Sequence, residues 1–148
     1  MNQFERQMVA ILKELKVRHG ALSVRAEFES EGARMEELMR LKEVSAKAGL
    51  GLTLIIGGCE ALRDLIESRA VGVNTLAAPM IESDYALQKY LQAVRKVFRT
   101  EELEDLEVNA NIESVTGVRK LATILGERRH GSLQGLAGIT LGRLGLCF

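Results

Sequence analysis

Asn109, Asn111 and Glu113 alternate along one side of a short segment that opens with Leu106-Glu107-Val108. This spacing presents a carboxylate just past the end of a predicted β-strand. A carboxylate there is placed to hold a divalent cation of the magnesium type, and equally to cap a helix or meet water. Gly57-Gly58-Cys59-Glu60 lies between an apolar run and a helical stripe. Paired glycines let a backbone approach a ligand, and the N-terminus of the next helix favours an anion. The turn therefore reads as a phosphate or carboxylate site, or as a tight strand-to-helix connection. Cys59 stands where a thiol can become acidic, while a buried inert thiol is the plainer reading. Glu82, and the trio Glu27, Glu29 and Glu31, stand at two further predicted strand ends. His19 and His130 fall at helix ends away from these positions and take no catalytic role; no Ser-His-Asp or Cys-His arrangement can be assembled from them.

The elements that must position these groups follow from hydrophobic periodicity, which switches between strand-like and helix-like segments, as in βα units. Phe4, Met8, Ile11, Leu12 and Leu15 share a face of a first helix that Gly20 can end. Residues 21–28 alternate as a first strand, with Leu22, Val24, Ala26 and Phe28 on one side. Met35, Leu38, Met39 and Leu41 mark a helix that stops at Gly49, and Gly51 to Ile56 is a nearly continuous apolar run, as in a parallel strand buried on both faces. Leu62, Leu65 and Ile66 make a helical stripe, Val73 to Ala78 a third strand ending at Pro79, the only proline. Leu87, Tyr90, Leu91, Val94, Val97 and Phe98 define the clearest helix, with Ser83 as N-cap and Asp84 in its first turn. Leu106 to Ile112 is a fourth strand, Val118, Leu121 and Leu125 a short helix, and Leu136 to Leu141 a fifth strand. The order predicts one α/β domain over residues 1–148, with a parallel sheet and right-handed crossovers. About five such units suit either a doubly wound open sheet or part of an eight-unit barrel; in both, chemistry sits at the carboxyl ends of the strands.

Composition narrows the function. Of 148 residues, 47% are apolar and 27% charged, enough for one compact core. Lys plus Arg and Asp plus Glu are 20 each, so the net charge is zero and no nucleic-acid or membrane partner is expected on electrostatic grounds. No apolar run approaches the roughly 18 residues of a membrane span. The first fifteen residues carry Glu5, Arg6, Lys13 and Glu14, an amphipathic helix and not a signal peptide, so a soluble cytoplasmic protein is expected. Cys59 and Cys147 have no paired spacing and read as free thiols.

Five segments, Arg25-Ala-Glu-Phe-Glu-Ser-Glu-Gly32, Gly57-Gly-Cys-Glu-Ala61, Ala78-Pro-Met-Ile-Glu-Ser83, Asn111-Ile-Glu-Ser-Val-Thr-Gly117 and Gly142-Arg-Leu-Gly-Leu146, resemble the HpcH/HpaI aldolase and citrate lyase family in order and spacing. The resemblance implies a partial (β/α)8 TIM barrel, about five of eight units. It also implies metal-dependent carbon-carbon bond cleavage of a small 2-oxo acid or acyl-CoA substrate, with Mg²⁺ or Mn²⁺ as cofactor. By the same resemblance Glu113 is the metal glutamate, Pro79 and Met80 the turn after the preceding strand, and Gly57, Gly58 and Arg143 lie on the substrate side. Two family positions are replaced: the metal aspartate falls on Gly145, and the basic partner of the substrate carboxylate falls on Ile56. A sheet cut after five units is expected to leave an unpaired edge and an uncovered apolar face, and hence to form a homo-oligomer. The alternatives are a catalytically inactive or truncated relative serving as a binding or assembly module, and an open-sheet binder of a phosphorylated ligand at Gly57-Gly58.

Overall fold

A computed structural model describes residues 1–126 and 135–142. In chain order these form α1 (Gln3–His19), β1 (Ser23–Glu27), α2 (Met35–Ala48), β2 (Gly51–Ile55), α3 (Leu62–Val71), β3 (Thr75–Ala78), α4 (Asp84–Val97), α5 (Thr100–Glu104), β4 (Glu107–Ile112), α6 (Val115–Arg119), α7 (Leu121–Gly126) and β5 (Gly138–Leu141). The predicted ends hold where local chemistry sets them. Gly20 and Gly49 close α1 and α2 in the left-handed region, φ 69° and 73°, and the Ser83 side chain accepts the Ala86 amide at 3.1 Å to start α4.

The strands pair in parallel in the order β1-β2-β3-β4-β5. Each connection moves one strand in the same direction, so the order never reverses. A doubly wound sheet needs a reversal, at which its ligand crevice forms; the observed winding is that of a barrel wall. This removes the open-sheet alternative.

The pleat separates two faces. Ala26, Leu52, Leu54, Leu76, Ala78, Val108, Ala110 and Ile112 join Leu38, Leu65, Leu87 and Tyr90 of the helices in the main core. Burial raises the pKa of the Tyr90 phenol and keeps it neutral. The other face carries Ser23, Arg25, Glu27, Thr53, Ile55, Thr75, Ala77, Glu107, Asn109 and Asn111, none of which belongs to a hydrophobic core cluster. The expected uncovered apolar face is thus largely polar. β2 is not apolar on both sides either, because Thr53 points with Arg25 and Thr75.

Two helical stripes also differ from expectation. Of the predicted α3 stripe Leu65 alone is buried, with Ser68 and Val71 of the same helix, whereas Leu62 and Ile66 are exposed. In α1 the inward residues are Val9 and Leu12, which meet Val44, Ala48 and Leu50. Phe4, Met8, Ile11 and Leu15 are exposed, and so is Leu22, beyond the start of β1. A periodicity reports a shared face, but not whether anything lies against it.

Candidate functional site

The carboxyl ends of β1 to β4 surround a cavity of about 210 Å³ lined by Glu27, Glu29, Ser30, Ile55, Ile56, Pro79 and Glu113. Glu113 follows β4 directly. Its Oε2 accepts the Met80 amide at 3.1 Å, and its Oε1 is met only by a longer contact from Asn111 Nδ2 at 3.4 Å. Met80 has φ 52°, a left-handed conformation uncommon outside glycine. The Glu113 bond thus stabilises the Pro79-Met80 turn as the turn aims an amide at Glu113. Asn111, on the same strand face and almost fully buried, lies beneath it. A Cβ added at Gly142 would stand 2.6 Å from Glu113 Cγ, so glycine at that place leaves room for the carboxylate.

Across the cavity, Glu27 ends β1 with its two oxygens engaged by the Arg25 guanidinium and the Ser30 hydroxyl. Its amide donates to Glu31 Oε2 at 3.1 Å. Gly57 matters for close approach: a Cβ there would lie 2.8 Å from Glu29 Oε1 and 3.1 Å from Asp64 Oδ2. The Gly57 amide donates to Asp64 Oδ2 at 2.7 Å. The carboxylate of the first turn of α3 therefore sits where a bound anion would meet that amide. Gly58 faces open space and is not on the cavity wall. Glu82 accepts from Ser114, which caps α6 by accepting the Gly117 amide at 3.1 Å. Cys59 is a half-buried free thiol against the main core, and Glu60 pairs with Lys89 at 3.6 Å, raising the Lys89 pKa.

The structure brings Glu113, Pro79, Ile56, Glu27 and Glu29 to one cavity, and leaves Gly57 behind Glu29. Ile56 is 1% exposed with its side chain in the helix-side core, while Ile55 pairs with Glu27 across β1 and β2 on the polar face. Within β2 the side chain on Glu27's face is therefore that of Ile55, and Ile56, the position matched to the family's basic residue, follows directly and lines the same cavity. Alternation within the strand carried that signal: a residue on Glu27's face must share the parity of Thr53. Arg143, Gly145, His130 and Cys147 lie outside the described residues.

Among the described residues no group of three or more His, Cys, Asp or Glu side chains is close enough to hold a metal ion, and no Lys, Arg or His lines the cavity. A cation there would have Glu113 as its protein ligand, through the oxygen that Asn111 meets loosely. That donor set suits magnesium or manganese completed by water and substrate oxygens. No helix among the described residues is long and apolar enough to cross a membrane.

Comparison with solved structures accounts for the architecture. Citrate synthase SbnG superposes with a TM-score of 0.73 at 18% identity, over 93% of this chain and 58% of that one. The HpcH/HpaI aldolase from Desulfitobacterium hafniense DCB-2 gives 0.67 at 15% identity, over 90% of this chain and 57% of its own. An HpcH/HpaI aldolase/citrate lyase family protein from Burkholderia cenocepacia J2315 gives 0.69 at 12%, over 95% and 68%. The chain shares the fold of these structures. It spans under two thirds of the length of the first two of these structures. No family model matches the sequence, and no curated protein matches it significantly; this fold likeness is carried by backbone and topology at identities of 12% to 18%.

Proposed function

We propose that the chain binds a small 2-oxo acid together with Mg²⁺ or Mn²⁺ at the Glu113 cavity, as a metal-dependent carbon-carbon lyase of the aldolase/citrate lyase type. The observation that carries the reading is the charge of the cavity. Among the described residues its wall offers Glu27, Glu29 and Glu113 and no cationic side chain, so that part of the wall repels an anionic substrate unless a divalent cation enters with it. At about 210 Å³ the space is below the usual range for drug-sized ligands, which suits an acid of a few carbons or the acyl end of a thioester.

A divalent cation supplies Lewis-acid stabilisation of the oxygen charge that develops as the bond breaks. The chain's own groups prepare the place. The Met80 amide fixes one oxygen of Glu113 and leaves the other facing the cavity. Arg25 and Ser30 hold Glu27, which keeps that carboxylate from swinging across the opening. Ile55 and Pro79 make the apolar part of the wall, where the methyl or methylene end of an oxo acid can rest.

The test is a titration of Mn²⁺, followed by its electron paramagnetic resonance, with and without pyruvate or oxaloacetate. Saturable binding is expected with the acid present, with Glu113→Gln losing it at least tenfold. Absence of saturable binding below millimolar metal, or a Glu113→Gln protein that binds as well as the parent, overturns the reading. A second reading is supported by the apolar Ile55 and by the commitment of Arg25 to Glu27, which leave no cation for a substrate carboxylate among the described residues. In it the chain is a catalytically inactive binding or assembly module, and metal-acid binding occurs without turnover of oxaloacetate.

A further inference from the structure

Three carboxylates line the Glu113 cavity, and they differ in what already holds them. Glu27 has both oxygens engaged, by Arg25 and by Ser30. Glu113 has one oxygen on the Met80 amide at 3.1 Å and the other beside Asn111 Nδ2 at 3.4 Å. Among the described residues the Glu29 carboxylate accepts no hydrogen bond and forms no ion pair. We propose that Glu29 is the proton-transfer group of this cavity, acting first as general base and then as general acid on a 2-oxo acid held at Glu113. This role rests on the binding of metal and oxo acid at that cavity.

The backbone around Glu29 is pinned while its side chain is not. The Phe28 amide donates to the Ile55 carbonyl at 3.1 Å, and the Phe28 side chain packs against the main core. Ser30 is tied to Glu27, the Glu27 amide to Glu31 Oε2 at 3.1 Å, and the Ala33 amide to the Glu27 carbonyl at 3.3 Å. Glycine clears the space that the side chain needs. A Cβ on Gly57 would stand 2.8 Å from both Cγ and Oε1 of Glu29, just as one on Gly142 would crowd Glu113. A general base requires a fixed origin and free lone pairs, and Glu29 has both. No other group of the described wall combines them. Its remaining members are Glu27, Ser30, Ile55, Ile56, Pro79 and Glu113; Ser30 gives its proton to Glu27, and Glu113 is the ligand of the cation.

The step balances without a further reactant. For a 2-oxo acid with a hydroxyl group β to its ketone, the Glu29 carboxylate takes the hydroxyl proton. The bond between the hydroxyl carbon and its neighbour then breaks, the hydroxyl carbon becomes an aldehyde, and the electron pair left behind forms the enolate of the shorter oxo acid. Glu29, now a carboxylic acid, returns the proton to the enolate carbon. Without an aldehyde, this last transfer run in both directions exchanges the methyl hydrogens of pyruvate with solvent.

Exchange and binding, measured side by side, test this. In deuterium oxide with Mg²⁺, the protein should wash deuterium into the pyruvate methyl group, followed by proton nuclear magnetic resonance. Glu29→Gln should slow that exchange by at least about a hundredfold. Because Glu29 is exposed, the far-ultraviolet circular dichroism of the variant should match the parent. Its pyruvate-dependent Mn²⁺ binding should be equal or tighter, because a negative charge has left the wall. A third readout needs no turnover. Carbodiimide coupling of glycinamide, mapped on the tryptic peptide 26–34, should label Glu29 in the free protein, and Mn²⁺ with pyruvate should suppress the label. Four results overturn the role of Glu29 and leave the Glu113 reading in place: binding without exchange in the parent, undiminished exchange in Glu29→Gln, loss of metal-acid binding in Glu29→Gln, or labelling indifferent to metal and acid. A parent protein that binds no metal with the acid overturns both.

Discussion

Adjacent residues Ile55 and Ile56 show how finely the site depends on the strand pleat. Both line the cavity, but the Ile56 side chain turns into the helix-side core and Ile55 lies opposite Glu27. A lysine at 56 must bury an ammonium among apolar groups, whereas one at 55 can reach the Glu27 carboxylate. Ile56→Lys is therefore expected to cost about 3 kcal/mol or more of stability, and Ile55→Lys, which is also buried but within reach of a carboxylate, less than that. Urea-unfolding midpoints measure both, and equal losses would contradict the assignment of faces. Glu113 was legible in the sequence because its spacing from Asn109 and Asn111 carried it past the strand end. Its bond to Met80 was not legible, because it joins two loops 33 residues apart. Nor was the capture of the Gly57 amide by Asp64, since a glycine pair followed by an acidic residue has the same pattern whether the carboxylate turns back or outward.

Among the elements, the strands and the longer helices could be read directly, since buried apolar residues on β2, β4 and α4 repeat at the periods their backbones impose. The short helix α5 could not: Thr100–Glu104 contains no fully buried residue and is held by charge together with Leu103, which packs against the main core. Glu102 accepts the Arg99 amide at 2.7 Å and binds Arg69 of α3 through both oxygens at 2.9 Å. The Arg99 amide first, and Arg69 after it, lower the Glu102 pKa below its usual 4.5. A carboxyl whose pKa is lowered by folding stabilises the fold above its unfolded value, and loses that effect as pH falls through the folded one. Glu102→Gln should thus lower the melting temperature at pH 7, with the difference shrinking from pH 4.5 downward. The shift should be modest, as the pair is partly exposed and screened by salt. A difference that persists unchanged at pH 3 would assign the loss to something other than the charge.

For the whole molecule, the sheet has a protected centre and two open margins. β3 is buried at every position, whereas β1 and β5 each pair on one side only among the described residues. Native-state hydrogen exchange should find the amides of β2 to β4 slowest and those of β1 and β5 markedly faster. Equal protection of β1 and β3 would mean that another strand covers the β1 edge. The fold class could be read from alternating periods alone, but the choice between barrel wall and open sheet could not, because strand order is set by which neighbours pair and leaves no mark on periodicity. The one-directional winding has a consequence for how such a protein can change. Since no strand lies between two that were laid down before it, a further strand-helix unit could be added or removed at either margin while every existing hydrogen-bond ladder keeps its partners. Growth and shortening of this architecture are therefore steps of one unit, and the described wall of the Glu113 cavity, supplied by β1 to β4 and Gly142, is preserved through changes beyond Gly142.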